Sequence, residues 1–142
     1  MRKMLFLIVL TIVSCSDHKI VNQGQPTEEP FTLKVGQSIV LKPDNLEVGF
    51  WGVINDSRCP INALCVWQGL AEIDLWLLPP SSDSVFVKSY IYGYVTQNDT
   101  TAHVSTDTLD YRITLLQLNP YPGSDSTAQS ADYEALLLVS KL

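Results

Sequence analysis

Two cysteines near the middle of the chain are the residues whose type and spacing most directly indicate chemistry. Cys59 and Cys65 are six positions apart. Thiols at this spacing either form a disulfide in an oxidising compartment or supply two of the four ligands that zinc usually takes. The chain's two histidines, His18 and His103, would have to complete a zinc site, and they lie in a predicted tether and a predicted loop. The spacing favours a disulfide that closes a seven-residue loop, and we expect no metal.

The remaining polar residues do not form a pattern that is typical of an enzyme. A catalytic nucleophile needs a base beside it, and Ser57 has no histidine near it in the sequence. The sequence contains no Gly-x-Ser-x-Gly, phosphate-loop or dinucleotide motif. A glycosidase requires only two carboxylates, and the chain has fifteen acidic residues. A small hydrolase therefore stays open as an alternative, while we expect no catalytic residues and no cofactor.

The first fourteen residues are organised like an export signal. Arg2 and Lys3 precede ten uncharged residues, 4–13, and a small residue stands before Cys15. Ten residues form a helix of about 15 Å, about half of the thickness that a membrane span must cross. The pattern predicts a signal peptide over residues 1–14, and export would place the other two cysteines in an oxidising compartment.

The end of this leader resembles the cleavage box of bacterial lipoprotein precursors. Ile12, Val13, Ser14 and Cys15 fill the four positions of that box. The resemblance implies cleavage before Cys15, a diacylglycerol on its sulfur, and a protein of the bacterial cell envelope that is anchored to a membrane on an unspecified side. Two or more acyl chains give stable anchoring, at about 0.8 kcal/mol per buried CH₂. The alternative is an ordinary secreted protein that is cut after Ser16.

Composition limits the classes of partner. Removing the leader takes away Arg2 and Lys3, which leaves 128 residues with seven basic and fifteen acidic side chains, a net charge of −8. Nucleic acid is disfavoured because its phosphates require a basic surface. The same excess of acidic side chains provides no basic patch for anionic lipid. The lipid on Cys15 would therefore hold the protein on the membrane. The length suits one domain with a real core.

Hydrophobic patterning predicts an all-β domain. Residues 15–30 are expected to be the lipidated cysteine and a flexible tether, because they are polar without an apolar period. From residue 31 to 142, apolar and polar residues alternate in about seven short segments separated by turn signals. We therefore predict an antiparallel β-sandwich of the Ig-like or Greek-key type, with a barrel as the alternative.

Residues 50–69 contain the most distinctive motif of the chain. It reads Asp-Ser-Arg-Cys-Pro at 56–60 and Cys-x-Trp-x-Gly at 65–69. The segment resembles a small, functionally uncharacterised family of bacterial secreted and lipoprotein β domains, and the resemblance continues at 119–122 and 132–133. It implies a β fold and export, and it carries no known activity.

The motif allows two interpretations of Asp56, Ser57, Arg58 and Trp67. In one, a stapled loop presents these charged and aromatic groups to a partner. In the other, which the residue types favour, they form a structural corner. Asp56 and Arg58 would then hold the loop by hydrogen bonds, Trp67 would pack on the disulfide, and Gly69 would mark a bulge or a close backbone approach.

A second set of aromatic residues lies in the following segment. Tyr90, Tyr92 and Tyr94 alternate with other residues and are predicted to share one face of a strand. An exposed face would offer a stacking surface for a sugar ring or a peptide. We expect most of this face to be buried instead.

Together these patterns favour a non-enzymatic binding or accessory module. It would be held to a membrane through lipid on Cys15 and would bind a protein or glycan partner, not nucleic acid. A proteinase inhibitor is the alternative, since the Asn-Pro-Tyr-Pro-Gly segment at 119–123 could form a loop at the end of a sandwich. A small hydrolase is third.

Overall fold

The computed structural model describes residues 19–93, 103–123 and 132–142, and the regular elements in these ranges are all β-strands. Alternating apolar residues produce these strands, because one side of each strand can be buried while the other stays in water. The nine strands are β1 (Lys19–Pro26), β2 (Phe31–Lys34), β3 (Gln37–Lys42), β4 (Leu46–Asp56), β5 (Leu70–Leu78), β6 (Val85–Tyr92), β7 (His103–Thr108), β8 (Tyr111–Asn119) and β9 (Glu134–Lys141).

The strands from β3 to β9 follow one another in chain order around a single sheet, and each is antiparallel to the next. β2 pairs with β9, again antiparallel. Because a short turn at Gly36 joins β2 to β3, the eight strands β2–β9 return to their starting point and nearly close a barrel. The all-β prediction is confirmed, in the form of the barrel alternative. Neighbours in sequence are neighbours in the sheet, so the connections form a meander rather than a Greek key.

The structure differs from the sequence prediction in part of the tether. Residues 19–26 form β1, which runs parallel to β3 with Lys19 level with Gln37 and Pro26 level with Lys42. A polar segment can do this because strand pairing uses backbone groups, which every residue except proline supplies in full. The predicted signal peptide and Cys15 lie outside the described residues.

Two backbone hydrogen bonds bridge the seam, which is the gap between β2 and β3 where the barrel does not close. The N–H of Thr27 donates to the carbonyl of Lys42 at the end of β3, at 3.0 Å. The N–H of Glu28 donates to the carbonyl of Val139 in β9, at 2.8 Å. The segment after β1 therefore connects the two sides of the barrel.

The interior of the barrel is filled by side chains. An eight-stranded barrel is just wide enough for this, and the inward positions carry large aliphatic residues. The largest fully buried side chains are Phe50, Leu33, Leu41, Leu46, Ile73, Leu75, Leu77, Ile91, Ile113, Leu115, Leu118 and Leu137. The core therefore supports the barrel wall, and the candidate sites described below lie on its outside.

The register defines two ends of the barrel. We call the end that holds Lys19 and the turn at Gly36 the leader end, and β4 also finishes there before the chain returns as β5. We call the opposite end, with the 43–45 turn and the 79–84 hairpin, the far end. Any segment upstream of Lys19 therefore joins the domain at the leader end.

A buried tyrosine fastens the far end. The hydroxyl of Tyr111, at the start of β8, donates to the carboxylate of Asp44 in the β3–β4 turn, at 2.6 Å. Lys141 in β9 donates to the same oxygen at 3.0 Å. Burial, followed by the hydrogen bond to Asp44, raises the pKa of Tyr111 to about 12. Hydrogen bonds from Tyr111 and Lys141 lower the pKa of Asp44.

These shifts predict how alkali affects stability. An unfolded tyrosine ionises near pH 10, whereas Tyr111 in the folded protein keeps its proton to about pH 12. The unfolded state therefore loses a proton first, and the free energy of unfolding falls as the pH rises between these values. We expect the stability advantage of the natural protein over Y111F to shrink across this interval in urea titrations, while Y92F serves as the exposed control. An advantage that is constant across this pH range would contradict the prediction.

Candidate functional site

The distinctive motif folds into a corner at the leader end, where the chain leaves β4 and returns as β5. The predicted disulfide between Cys59 and Cys65 is formed. Beyond the strand ends, the N–H of Ser57 donates to the carbonyl of Leu70, and the N–H of Cys59 donates to the carbonyl of Gln68, both at 2.9 Å. The two legs of the loop are therefore paired at its base.

Arg58 lies at the centre of this corner, and only 3% of its surface is exposed. Its Nε and Nη2 donate to the two carboxylate oxygens of Asp56 at 2.8 and 2.7 Å. Its Nη1 donates to the carbonyl of Leu118 at 2.8 Å, and Nη2 also reaches that of Pro120 at 3.3 Å. The ring of Tyr121 covers the guanidinium, with its centroid 4.6 Å from Cζ. One side chain thus binds the loop to the end of β8.

The carboxylate of Asp56 connects a third segment to this corner. It accepts a hydrogen bond from the hydroxyl of Tyr133 at 3.1 Å. Burial, and next the charge of Asp56, raises the pKa of Tyr133. The segments at 56–60, 119–122 and 132–133 are far apart in the sequence, and the fold brings them to one place.

Gly69 closes the corner by a close backbone approach, as predicted. Its φ angle is +68°, and a Cβ atom on it would lie 1.9 Å from the carbonyl oxygen of Ser57. Its carbonyl accepts a hydrogen bond from the N–H of Gly93, at 3.2 Å. Only glycine fits here, because it has no side chain and tolerates a positive φ.

The four residues of the binding-loop hypothesis have different surroundings. Asp56 and Arg58 are held inside the corner, where a partner cannot reach them, and this agrees with the structural interpretation. The hydroxyl of Ser57 donates to the carbonyl of Leu70 at 2.9 Å. Trp67 is exposed, so the expected packing on the disulfide is wrong, because residue 67 lies in the loop before β5 begins.

The stapled loop, residues 59–68, presents an apolar surface at the leader end. Ile61, Leu64, Val66 and Trp67 are between 70 and 103% exposed, and we call these four side chains the apolar tip. The sequence has no charged residue from 59 to 71, although the chain as a whole is acidic. Four large apolar side chains exposed within seven residues are a candidate surface of interaction.

A second exposed surface lies on the outer wall of β4, β5 and β6, and it extends to the far end at Leu78 and Ser84. Trp51 of β4 and Phe86 of β6 are 56 and 59% exposed, and their rings meet edge to face with centroids 5.7 Å apart. They line a groove of about 290 Å³ together with Trp76, Leu78 and Ser84. We call it the aromatic groove. This groove was not predicted from the sequence. In β4 and β6, however, each of the two aromatic residues stands next to an apolar residue that points inward, and this alternation could have indicated an exposed aromatic side chain.

Gly49 shapes the floor of this groove. It lies opposite Trp76 in the sheet, and a Cβ atom on it would lie 2.0 Å from the indole ring. The missing side chain leaves the space that the indole of Trp76 occupies.

The tyrosines of β6 also face outward, contrary to the expected burial. Tyr92 is exposed and Tyr90 is half-buried, because Ser89 and Ile91 occupy the inward positions. Tyr94 lies outside the described residues. Tyr92 borders a groove of about 550 Å³ that is also lined by Trp67, so its exposed ring extends the apolar surface beside the stapled loop.

Two carboxylates on the outer wall share one lysine. Lys88 binds Glu72 and also lies 3.7 Å from Asp74. The hydrogen bond to Glu72 is the main cause that raises the pKa of Lys88. The two acids stand side by side on β5, which differs from the two acids facing each other across a cleft that the hydrolase alternative requires.

The described part of the chain shows neither a metal-binding cluster nor a membrane-spanning helix. Within residues 19–93, 103–123 and 132–142, no group of three or more His, Cys, Asp or Glu side chains is placed to hold a metal ion. The same residues contain no helix that is long and apolar enough to cross a bilayer. Comparisons with protein-family models, curated proteins and solved structures found no match for this chain.

Proposed function

We propose that this protein is a lipid-anchored binding module of the bacterial cell envelope, which holds a protein partner at the aromatic groove. The observation that carries the proposal is the exposed pair of Trp51 and Phe86 beside an apolar groove. Aromatic side chains at the centre of such a surface supply most of the binding energy in protein interfaces. The leader and its resemblance to lipoprotein precursors support the anchor on Cys15.

The lining of the groove favours a protein over a glycan. Trp51, Trp76, Leu78 and Phe86 are apolar, and Ser84 adds one hydroxyl. A sugar has hydroxyl groups around its ring, and binding it requires several hydrogen-bonding partners, because unpaired polar groups are costly to bury. An aliphatic or aromatic side chain of a partner protein matches this lining better.

The groove opens on the side of the barrel, and one end of it lies at the far end. Leu78 and Ser84 flank the 79–84 hairpin at the far end, whereas the chain upstream of Lys19 joins at the leader end. A lipid on Cys15 would therefore leave the Leu78 and Ser84 end of the groove away from the membrane, where a partner has access.

The contacts of the 119–123 segment weaken the proteinase-inhibitor alternative. An inhibitory loop must project into the cleft of an enzyme. Here the carbonyls of Leu118 and Pro120 are bound by Arg58, and the carbonyl of Pro122 accepts a hydrogen bond from the N–H of Ile61 at 3.1 Å. The segment forms a wall of the corner instead of projecting from it.

The groove can be tested by site-specific crosslinking in cells. A photo-reactive phenylalanine analogue at Ser84 should crosslink one protein partner, which mass spectrometry would identify. Truncating a central aromatic costs at least about 2 kcal/mol of binding, so W51A or F86A should weaken the purified complex at least about tenfold. W67A is the matched control, because that tryptophan lies in the stapled loop, and it should bind normally. A crosslink to a polysaccharide would support the glycan alternative. Equal binding by all variants would contradict the proposal that the partner binds at the aromatic groove.

A further inference from the structure

The stapled loop has features that binding at the aromatic groove does not explain. Its four exposed apolar side chains lie at the leader end of the barrel, on a tip without charge. We infer that the apolar tip (Ile61, Leu64, Val66 and Trp67) inserts into the surface of the same bilayer that holds the lipid on Cys15. This inference depends on the lipid anchoring proposed above.

The length of chain upstream of Lys19 limits how far the domain can be from its anchor. Cys15 is four residues before Lys19, and four residues span at most about 14 Å even when fully extended. Lys19 lies level with Gln37 at the leader end. The lipid would therefore hold the barrel near the place where β1 begins, at the leader end.

The stapled loop extends towards the membrane by a similar distance. The N–H of Gly36 donates to the carbonyl of Phe50, so Phe50 is close to the level of Lys19. Leu75 lies opposite Phe50, and from there β5 runs five residues further to Leu70, about 12–16 Å along a tilted barrel axis. The loop continues beyond Leu70. An anchor of about 14 Å is thus too short to keep the loop away from the bilayer.

The chemistry of the loop suits a lipid surface better than a charged protein surface. Residues 59–71 carry no charge, although the processed chain has a net charge of −8. Tryptophan concentrates at the boundary between lipid and water, where its ring has both apolar and polar contacts. Isoleucine, leucine and valine are the side chains that enter the hydrocarbon region most readily.

Two backbone N–H groups of the loop already have partners, which lowers the cost of contact with an apolar environment, where unpaired polar groups are costly. The N–H of Ala63 donates to the carbonyl of Pro60, and the N–H of Ile61 donates to that of Pro122, both at 3.1 Å. The disulfide fixes the loop before it meets the membrane, so insertion costs little ordering entropy. The corner around Arg58 holds the base of the same loop, and it therefore supports the tip.

Quenching of tryptophan fluorescence tests this inference on the full processed protein. The protein is purified with its lipid and reconstituted into phosphatidylcholine vesicles whose acyl chains carry bromine, which quenches nearby indoles. We expect the bromine to remove at least about half of the emission that comes from Trp67, as the interfacial position of the indole requires. The quenched component should disappear in W67F and persist in W51F, whose missing ring belongs to the aromatic groove. Raising the salt concentration should not reduce the quenching, because the tip has no charge to be screened.

Two further measurements distinguish a failure of the lipid anchor from a failure of the inserted tip. Mass spectrometry shows whether Cys15 carries diacylglycerol, and flotation shows whether the protein stays with the vesicles. An unmodified Cys15 would overturn both the anchor and the inserted tip. A lipidated protein that floats with the vesicles but shows equal quenching in W67F and the natural protein would overturn only the inserted tip.

Discussion

Replacing Arg58 by alanine should lower the free energy of unfolding by about 3–5 kcal/mol, the usual cost of removing one partner of a buried ion pair. The side chains of Arg58 and Asp56 are 2 and 7% exposed, so the variant leaves a carboxylate buried without its counter-charge. The carbonyls of Leu118 and Pro120 lose their donors at the same time. For a domain of this size, the melting temperature should fall by about 10–25 °C, as scanning calorimetry would show.

Arg112 provides a matched control for this variant. It also binds a carboxylate with two nitrogens, because its Nε and Nη2 lie 2.8 Å from the two oxygens of Asp107. This pair is about half-exposed, and exposed pairs contribute only about 0–1 kcal/mol. R112A should therefore change the melting temperature by a few degrees at most. Equal losses of stability in R58A and R112A would show that burial of the Arg58–Asp56 pair does not determine how much this pair stabilises the protein.

Replacing Gly69 by alanine should destabilise the protein by about 3–5 kcal/mol, from backbone strain and lost hydrogen bonds together. An alanine at φ +68° is strained, and its Cβ would lie 1.9 Å from the carbonyl oxygen of Ser57. The backbone must shift, which breaks the bonds that pair Ser57 with Leu70 and Cys59 with Gln68. Urea unfolding of the oxidised protein would measure the loss.

Two other glycines separate the causes of this effect. Gly36 also has a positive φ, +79°, but a Cβ atom on it would have no neighbouring atom within 4 Å. G36A should therefore cost about 1–2 kcal/mol, from strain alone. Gly52 has neither feature, so G52A should be neutral or slightly stabilising, within about 1 kcal/mol. If G69A lowers the free energy of unfolding no more than G36A does, the close approach to Ser57 does not contribute to the loss of stability.

Features that depend on local pattern could be predicted from the sequence. The alternation of apolar and polar residues predicted strands with one buried side, and β5 shows this with Ala71, Ile73, Leu75 and Leu77 buried. The disulfide could be predicted because the leader indicates export to an oxidising compartment, and two cysteines alone do not complete a zinc site. Gly69 could be singled out because glycine inside a strand pattern has a structural reason.

Features that depend on distant segments could not be predicted in the same way. Arg58 was recognised as part of a motif, but one of the carbonyls that accept its hydrogen bonds lies 60 positions away in the sequence. Only the barrel wiring brings that carbonyl to the corner. Trp51 and Phe86 meet because β4 and β6 flank β5, so neither segment alone predicts the groove. The exposure of Tyr92 depends on which side of β6 faces the core, and the alternation of residues within β6 does not determine that side.

The parallel pairing of β1 has a consequence for how the protein behaves in solution. β3 is the first strand of the meander, and β1 occupies the backbone N–H and C=O groups along its free side. A shortened chain that starts after Pro26 would leave these groups unpaired, as a template on which a second copy could add a strand. We therefore expect β1 to protect the domain against self-association and aggregation.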